Sequence, residues 1–425
     1  MTRDASSGTA GGSAHPGVLG RWLAAIALLL IVIVLAVYWA SRPQRLSGFI
    51  VGRIADALGL EITAAGASEY RLRGMPRLVL RDVVARRPGD APLLRADRID
   101  IALPWSSVRA RGADLTFQRV ELDRPQLDLP ALQRWLATRP PSEQRTPTLT
   151  DGLRIRDGSL VNDDWRVDAI AVDLPTLRAG QPVRARIRGR YVDPPTAIPF
   201  DLAVALQRPG NDAGLGVVGT VAIEHADWRM PAQVSLSGPL HVADDDLRIT
   251  PVRVAIAARY RSGETDLPFA LGLHGPLQFD EGTWSLAPAG VALRGDGVIP
   301  DLDARGALAL GRRLVLQLQG RLRDWPGAWP SLPPPIGTST SPLPFALDYA
   351  GSPALDDPAS LQLTRDNAAF DGRFRLPEVL AWMDAPQDSP VPPLRGRVRV
   401  AAMEISGVKL EGVDVRIDDA EATAP

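Results

Sequence analysis

Two stretches of the sequence have the letters of ligand-binding motifs. "GLGVVG" (214–219) matches the glycine spacing of a dinucleotide-binding loop, in which a helix N-terminus must follow to hold the pyrophosphate. The residues after it, "TVAIEHADW", alternate as a strand does, so we do not predict that site. The run Asp244 to Asp246 offers carboxylates to a calcium ion. It lacks EF-hand spacing and a Glu at the twelfth position, and a solvated turn is the better interpretation.

Residues that commonly carry catalysis or bind metals are sparse in this chain. The four histidines, His15, His225, His241 and His274, are nowhere at metal-ligand spacing. The absence of Cys excludes disulfides, Cys-ligated zinc, iron–sulfur clusters, thiol nucleophiles and a lipoprotein anchor. The sequence has no G-x-S-x-G, H-E-x-x-H or P-loop motif. We therefore predict a protein that is not an enzyme, with no catalytic, cofactor-binding or metal-binding residues.

The composition indicates a folded protein with more than one structural unit. A chain of 425 residues is too long for one ordinary compact core. Hydrophobic residues make up 45% of it and charged residues 23%, which is typical of globular proteins. Because the net charge is only −1, the charge balance does not favour a nucleic-acid partner, which normally requires a basic patch.

An apolar segment near the N-terminus has the length of a transmembrane helix. Residues 22–40 contain no charge and no Pro, and a helix of this length spans about 28 Å, close to the bilayer's hydrocarbon core. A cleavable signal peptide is the alternative, but Tyr38 and Trp39 stand where small residues would precede a cut. We predict an uncleaved anchor, a short cytoplasmic tail and the bulk of the chain in the periplasm. The residues representing this anchor are Trp22, Leu28, Ile31, Val34, Tyr38 and Trp39.

After the anchor the hydrophobic pattern changes from helical to strand-like. The stretch "LSGFIVGRIADALGLEI" places Phe49 and Ile54 on one stripe of an amphipathic helix. From "RIDIAL" (98–103) onward, apolar residues alternate with polar ones, as in a half-buried strand. The alternation changes parity after "DLTF" (114–117) and again at Pro125. Each change predicts a bulge or a bend.

The remaining pattern predicts a mainly β protein. Short alternating segments, separated by clusters of Gly, Pro and Asp, continue almost to the C-terminus. Helical periodicity is rare, with candidates at "LPALQRWLAT" (129–138) and "LPEVLAWM" (376–383). We predict an N-terminal transmembrane helix followed by an elongated, curved antiparallel β-sheet or β-meander with few short helices. Breaks rich in Pro at 138–148, 325–344 and 384–394 are interpreted as linkers or long crossing loops.

The breaks and the anchor divide the chain into five predicted segments. These are a cytoplasmic tail at 1–21, a transmembrane helix at 22–40, a membrane-proximal β domain with the amphipathic helix at 42–145, a β-repeat periplasmic domain at 151–325 and a C-terminal β segment at 345–425.

An internal repeat lies in the fourth segment. "LSGPLHVADDDLRITPVRVAIAA" (236–258) returns thirty-seven residues later as "LHGPLQFDEGTWSLAPAGVALRG" (273–295), with a Gly-Pro pair and a later Pro in both copies. Each copy predicts strands joined by a Gly-Pro turn and an acidic or glycine turn. Chance similarity between hairpins of biased composition is the alternative. A recurring β-meander unit would lengthen a sheet rather than close a sphere.

The order of these features resembles the AsmA family. The segment 66–130 is similar to the opening of AsmA-type proteins, as are "LRIRDGSL" (153–160) and "LRGRVRVAAMEISGVKLEGVDVRI" (394–417). The resemblance consists of apolar alternation with fixed Gly and Pro, and it covers residues 20–175 and 394–417. The residues that carry its first part are Pro76, Leu78, Leu80, Asp82, Val83, Leu93, Leu94, Ala96, Ile99, Leu103, Val120, Leu122, Pro125, Leu127 and Leu129.

This resemblance implies an inner-membrane protein of a Gram-negative bacterium that handles or transfers phospholipid, or another acyl-chain lipid, along a β-lined groove in outer-membrane biogenesis. The alternative is a non-enzymatic envelope assembly or secretion-accessory scaffold that acts through contacts with envelope proteins. The two differ in whether the apolar strand faces form an open trough or are closed by a second layer. The candidate groove residues are Phe49, Ile54, Ile99, Ile101, Leu103, Leu115 and Phe117.

Overall fold

The structure is a computed structural model. It describes residues 59–64, 69–71, 76–104, 116–137, 148–178, 180–208, 212–243, 246–280, 282–332, 336–337, 339, 341–384, 392–405 and 408–417. The predicted tail and anchor (1–40) lie outside these residues, as do most of the amphipathic stretch, with Phe49 and Ile54, and Leu115. Among the residues that are described, no helix is both long enough and apolar enough to cross a membrane.

Strands dominate the described residues, which confirms the prediction of a mainly β protein. Two helices, α1 (Leu129–Ala137) and α2 (Leu376–Asp384), coincide with the two segments of helical periodicity. The strands are β1 Glu61–Ala64, β2 Glu69–Arg71, β3 Arg77–Arg86, β4 Pro92–Ala102, β5 Thr116–Phe117, β6 Arg119–Asp123, β7 Gln126–Asp128, β8 Thr148–Leu149, β9 Leu153–Val161, β10 Arg166–Leu174, β11 Val183–Asp193, β12 Thr196–Leu206, β13 Asp212–His225, β14 Trp228–Ala243, β15 Asp246–Ser262, β16 Thr265–Asp280, β17 Thr283–Gly295, β18 Leu302–Leu310, β19 Leu314–Leu322, β20 Leu343–Gly351, β21 Pro358–Arg365, β22 Ala368–Arg375, β23 Leu394–Ile405 and β24 Val408–Ile417.

Twenty-two of these strands form one sheet. From β9 to β24 each strand pairs antiparallel with the next one along the chain, so this part is one long meander. At the other end, β1 and β2 pair with β3, which pairs with β4. β6 and β7 lie end to end between β4 and β9 and run parallel to β9. The remaining strands, β5 and β8, form a separate parallel pair.

Helix α1 belongs to the crossover that the parallel pairing of β7 with β9 requires. Asp128 caps the helix, since its Oδ1 accepts a hydrogen bond from the backbone N–H of Ala131 at 2.7 Å. Leu132 and Trp135, three residues apart and so on one face of the helix, are 1% and 4% exposed. The helix therefore buries its apolar stripe against the first strands of the sheet.

The two predicted changes of strand parity are confirmed as interruptions of strands. The chain leaves the small sheet at Phe117 and enters the large one at Arg119. At Arg124 the backbone has a φ of 46°, which ends β6 directly before Pro125. Because each break shifts the side-chain alternation by one residue, apolar residues on both sides of it stay on the covered side.

Both copies of the internal repeat fold into the same kind of hairpin, β14 with β15 and β16 with β17. The register shifts between Ser237 and Leu240 in the first copy and between His274 and Leu277 in the second. The Gly-Pro pair, which we predicted to be a turn, therefore lies at an irregularity inside a long strand. That part of the prediction is wrong. Proline has no N–H to donate to a neighbouring strand, and a bulge, where the ladder of hydrogen bonds is interrupted, tolerates this as well as a turn does.

Glycine is required at this irregularity in both copies. A Cβ atom on Gly238 would lie 2.5 Å from the carbonyl oxygen of Pro251. A Cβ atom on Gly275 would lie 2.3 Å from the carbonyl oxygen of Pro288. The neighbouring strand thus approaches too closely for any side chain, which explains why the glycine and the later proline recur together.

Apolar side chains lie on one side of the sheet, which we call the apolar face, and charged ones lie on the other, the outer face. In β11, for example, Val183, Ile187 and Tyr191 are buried while the arginines on the other side of the strand are exposed. Three buried clusters occupy the apolar face. The first extends from Leu60 to β12 and includes α1, the second lies in β15 and β17, and the third extends from β18 to β23.

Two details concern the predicted segment limits. Glu61 and Ile62, the end of the predicted amphipathic helix, form the start of β1, so the helix does not extend that far. Strand β19 pairs with β20 across the Pro-rich segment 325–344, so the sheet continues through that limit. The segment limits themselves stay predictions.

Candidate functional site

The described candidate groove residues lie in one covered core. Ile99 and Ile101 in β4 are 5% and 8% exposed, Phe117 is 6% exposed, and Leu103 packs against the same cluster. Their strands do not pair with each other, because β4 pairs with β3 and β6 whereas β5 pairs with β8. A hydrogen bond from the N–H of Gln118 to the carbonyl oxygen of Ala102, at 2.8 Å, holds the two segments together.

A small apolar cavity lies beneath α1. It has a volume of about 110 Å³, and its walls include Ile99, Ile101, Leu122, Leu132 and Trp135. Helix α1 covers the sheet at this point, so the first strands form a closed core rather than a trough. We call this part of the apolar face the closed end.

One row of apolar residues crosses the sheet from the closed end to β20. Each member is the registered partner of the next in the neighbouring strand, and all of them point to the apolar face. We call it the central apolar row; its members are Leu80, Ile99, Leu122, Ile155, Val172, Ile187, Leu202, Gly219, Val234, Ile256, Leu271, Leu293, Leu302, Leu322 and Leu343. With neighbouring strands about 4.8 Å apart, the row is roughly 65 Å long.

The exposure of this row changes along its length. From Leu80 to Leu202 every member is buried. From Gly219 in β13 to Leu302 in β18 every member is partly exposed, although all but the glycine are large and apolar. Leu322 and Leu343 are buried again, at 4% and 0% exposure. Along this row the apolar face therefore has an open centre, β13 to β18, between two covered ends; the second buried cluster, Ile249, Val252, Leu286 and Ala289, lies beside it in β15 and β17.

A second row follows the same course two residues away in each strand. Its members in the open centre, each registered with the next and each partly exposed, are Val217, Leu236, Val254, Leu273 and Val291. The open centre is thus two partly exposed side chains wide, and the second row borders the second buried cluster, against which Leu236, Val254, Leu273 and Val291 pack. A continuous apolar surface of this kind is unusual on a protein that does not bind another molecule there.

The far end of the apolar face is covered by the described residues between 323 and 341, namely 323–332, 336–337, 339 and 341, which we call the cap segment. Ile336 is 0% exposed and joins the third buried cluster, and Trp325 and Leu332 pack against that cluster. Trp325 donates from Nε1 to the carbonyl oxygen of Pro330 at 2.9 Å, and its ring meets that of Trp329 edge-on at 4.8 Å. The segment predicted as a linker or crossing loop is therefore a loop that packs onto the sheet.

Ion pairs across neighbouring strands characterise the outer face. Arg186 in β11 forms two hydrogen bonds with the carboxylate of Asp201 in β12, at 2.8 and 2.7 Å. The hydrogen bond from Arg186 holds the pKa of the Asp201 carboxyl below its ordinary value. Arg397 and Asp414 form the same arrangement near the C-terminus, with the same effect on the pKa of Asp414. A charged, hydrated outer face leaves the apolar face as the surface suited to an apolar ligand.

The motif-like stretches have structural places in the sheet. Gly214, Gly216 and Gly219 all lie within β13, so no helix follows them to hold a pyrophosphate. His225 contacts Thr196 and His274 contacts the carbonyl oxygen of Val252, each across a strand pair. In the part of the chain that the structure describes, no three acidic or histidine side chains are grouped so as to hold a metal ion.

Sequence reasoning placed the candidate groove at the closed end and named no residue of the open centre. A signal was present in the second half of β13 and in β14, where "VVGTVAIE" and "AQVSLSG" alternate apolar residues with small or polar ones. The cover over the first strands carries its own signal, the helical stripe of α1. Between residues 206 and 323 the sequence has no comparable apolar stripe at helical spacing, and this difference distinguishes the open centre from the closed end.

No family model, curated protein or solved structure matches this chain.

Proposed function

We propose that this protein is an inner-membrane-anchored periplasmic protein of the AsmA type that handles or transfers acyl-chain lipid along its apolar face. The observation that carries the proposal is the open centre, where large apolar side chains in registered rows stay partly exposed over six strands. The resemblance of the sequence to the AsmA family implies that the expected partners are the membrane and a phospholipid.

The energy of acyl-chain transfer favours a surface of this kind. Each methylene exposed to water costs about 0.8 kcal/mol, so a sixteen-carbon chain that crosses water unaccompanied faces about 12 kcal/mol. On a face that remains apolar from one strand to the next, the acyl chain contacts apolar side chains instead of water along its whole path. The polar outer face lets the same sheet stand in an aqueous compartment.

The test is a matched pair of substitutions in one strand, made in the full chain. Leu271 belongs to the central apolar row, and its neighbour Ala270 is exposed on the outer face of β16. Leu271→Asp places a carboxylate on the path, where it can stay hydrated, so the thermal melt should remain close to that of the wild type. We expect the lipid that co-purifies, measured by mass spectrometry, to fall several-fold.

Ala270→Asp is the control, since it introduces the same charge on the opposite side of the sheet. It should leave both the melt and the lipid content unchanged. If the wild-type chain carries no lipid, or if Leu271→Asp carries as much lipid as Ala270→Asp, the proposed function is wrong.

The membrane anchorage is a separate part of the proposal, supported by the apolar segment 22–40. Alkaline phosphatase fused after Pro425 should be active, because the enzyme folds only in the periplasm when its disulfides can form. The mature protein should retain residues 22–40. An inactive fusion, or a mature N-terminus near Ser41, would contradict this topology.

The last strand favours a second candidate, a scaffold that acts through protein contacts. Leu410 and Val415 in β24 are exposed large apolar residues, and in the described residues β24 pairs only with β23. Such an edge can accept a strand from another protein. If the scaffold is correct, Leu410→Ser together with Val415→Ser should abolish function in cells while lipid content stays at the wild-type level.

A further inference from the structure

The last strand of the sheet ends the apolar face on an exposed residue. Phe345, Leu363, Phe370, Val398 and Val415 form a row in which each residue is the registered partner of the next. Leu363 and Val398 are buried, whereas Val415 in β24 is 48% exposed. Among the described residues β24 pairs with β23 alone. This apolar row therefore stops at an open strand edge.

The backbone of β24 directs hydrogen-bonding groups toward that edge. Ala401 in β23 donates its N–H to a carbonyl oxygen on the β22 side, at 3.1 Å. Because successive residues of a strand point these groups to opposite sides, Val400 bonds with its registered partner Val413 in β24. Asp414 and Arg416 then direct their N–H and C=O groups away from β23. Such an edge is a template for a further strand.

The side chains of β24 fit a second copy of the same strand. Antiparallel pairing about a two-fold axis at Val415 places this residue against Val415 of the second copy. The same pairing places Val413 against Ile417 and Asp414 against Arg416. The apolar pairs lie on the apolar face, where Val413 and Ile417 already pack against the third cluster. The opposite charges meet on the outer face, where both residues are exposed.

Other registers of the same two-fold pairing do not fit. Centred on Glu411 or on Asp414, the strands bring two carboxylates together, and centred on Arg416 they bring two guanidinium groups together. Centred on Gly412 or on Val413, they place the charge of Glu411 against a valine. Among the registers centred on residues 411 to 416, only the one at Val415 avoids both faults.

We propose that two copies of this chain pair through β24, antiparallel and centred on Val415, so that their sheets join into one. The contact is isologous, as a two-fold dimer requires. It covers Val415 and continues the apolar face from one copy into the other. Residues 413–417 of each copy take part, and an interface of this size is weak.

The charges of β24 favour the same arrangement. Within one copy Arg416 lies opposite Arg397 and interacts electrostatically with Asp414 of its own strand. It donates no hydrogen bond to any carboxylate that the structure describes. In the dimer it lies opposite Asp414 of the second copy. That carboxylate keeps its hydrogen bond from Arg397, because its two oxygens can accept several donors.

This inference does not rest on lipid handling. It uses the edge that supports the second candidate function and assigns to it a second copy of the chain rather than a different protein.

The test uses the absence of cysteine from the chain. Val415→Cys is introduced into the full chain, and isolated membranes are reduced and then oxidised with copper phenanthroline. In the proposed dimer residue 415 forms a non-hydrogen-bonded pair with itself, with Cα atoms about 4.5 Å apart, which a disulfide can bridge. Val218→Cys is the control, since Val218 in β13 is 55% exposed. We expect Val415→Cys to form covalent dimer at least tenfold faster than this control.

A second comparison tests the register. Val413→Cys alone should cross-link no faster than the control, because the two copies of residue 413 would lie about 14 Å apart along the strands. Val413→Cys combined with Ile417→Cys should form the dimer, because these two positions face each other. Thermal melts of the reduced variants verify that the sheet remains folded.

A third comparison tests the charges in the Val415→Cys chain. Arg416→Asp should slow cross-linking several-fold, because it places two carboxylates opposite each other. Arg416→Lys should retain most of the rate because it keeps the charge. Arg373→Asp, at an exposed position of β22, makes the same change of charge away from the edge and should leave the rate unchanged.

Three results would overturn the inference. Val415→Cys could cross-link no faster than Val218→Cys, or Val413→Cys alone could match it, which would indicate collision without a register. A Val415→Cys product whose mass is not twice that of the chain would identify a different protein at this edge and favour the scaffold. None of these results changes the lipid content of Leu271→Asp, so the lipid proposal stands or fails separately.

Discussion

At the scale of single residues, a buried carboxylate on the outer face depends on hydrogen bonds from neighbouring arginines. The carboxylate of Asp100 in β4 is almost fully buried and accepts hydrogen bonds from Arg77 at 2.6 Å and from Arg98 at 2.7 Å. The two arginines come from either side of the carboxylate, one from the neighbouring strand and one from the same strand. Removing the carboxylate leaves both guanidinium groups without this partner.

Asp100→Ala should therefore destabilise the protein by about 3 kcal/mol, the usual cost of breaking a buried pair. Asp97→Ala is the control, because Asp97 pairs with Arg124 at a half-exposed position and should cost no more than about 1 kcal/mol. Urea unfolding of the full chain, followed by tryptophan fluorescence, gives both values. Equal losses in the two variants would contradict the argument.

Glycines in β13 differ in how closely the next strand approaches them. A Cβ atom on Gly219 would lie 2.0 Å from the carbonyl oxygen of Asp201, whereas nothing lies within 4 Å of one on Gly216. Gly219→Ala should destabilise the protein by about 1–3 kcal/mol, because the strands must move apart. Gly216→Ala should be neutral or slightly stabilising, since it restricts the unfolded chain. The same urea titration tests both, and a neutral Gly219→Ala would contradict the close approach.

Acid stability depends in part on the pair formed by Arg186 and Asp201. Since the hydrogen bond from Arg186 lowers the pKa of Asp201 in the folded protein, the pair stabilises the fold above the carboxyl's unfolded pKa of about 3.9. That stability is lost as the pH falls below this value toward the folded pKa. Asp201→Asn should therefore lower stability at pH 6 and flatten the loss of stability between about pH 5 and pH 3. An unchanged slope in thermal melts over that range would show that the pair makes no contribution.

At the scale of elements, the presence of a covering segment decides whether a charge introduced on the apolar face destabilises the fold. Ile101 lies beneath α1 in the closed end, while Leu271 lies in the open centre. Both are apolar residues of alternating strands, and their sequence contexts do not distinguish them. The covering helix makes the first a core residue and leaves the second accessible to water.

Ile101→Asp should lower the stability of the closed end by several kcal/mol, because the buried carboxylate has no partner there. Leu271→Asp should change the melt little. Circular dichroism melts of the two variants, compared with the wild type, test this difference. Similar melts for both variants would mean that the open centre is as well covered as the closed end.

At the scale of the whole molecule, the meander makes the protein nearly one-dimensional. Among the described residues, each strand from β10 to β23 pairs only with its neighbours in the sheet, and the buried clusters at the two ends share no residue. In such an architecture stability is a sum of local terms, so one end can open while the other remains folded.

Leu363→Ala tests this independence, since Leu363 is fully buried in the third cluster and its truncation should cost about 2–5 kcal/mol. Hydrogen exchange measured by mass spectrometry should become faster in β20 to β23 and stay at the wild-type rate in β3 to β10. Val172→Ala, in the first cluster, should produce the opposite pattern. Uniform acceleration over all strands would show instead that the sheet unfolds as one cooperative unit.

The sequence alone determined the features that depend on neighbouring residues. Alternation of apolar and polar residues predicts the strands, a stripe at helical spacing predicts α1 and α2, and parity changes predict the breaks at Gln118 and Pro125. The repeat at 236–258 and 273–295 likewise indicates two equivalent hairpins. These features follow from the two periods of secondary structure, which a short window of sequence contains.

Only the tertiary structure decided which part of the apolar face is covered. The cover comes from α1 and from the cap segment. Both pack against strands that are distant in sequence, and the period of a short stretch of sequence does not predict such contacts. The alignment of fifteen residues into one row depends on the register of fourteen strand pairs. Several of these pairs contain a bulge that shifts the register, and the sequence does not show the size of each shift. Arg365 at the end of β21 is likewise an ordinary strand residue in the sequence, yet it is only 7% exposed, and its Nη1 donates to the carbonyl oxygens of Ile336 and Ser339 in the cap segment.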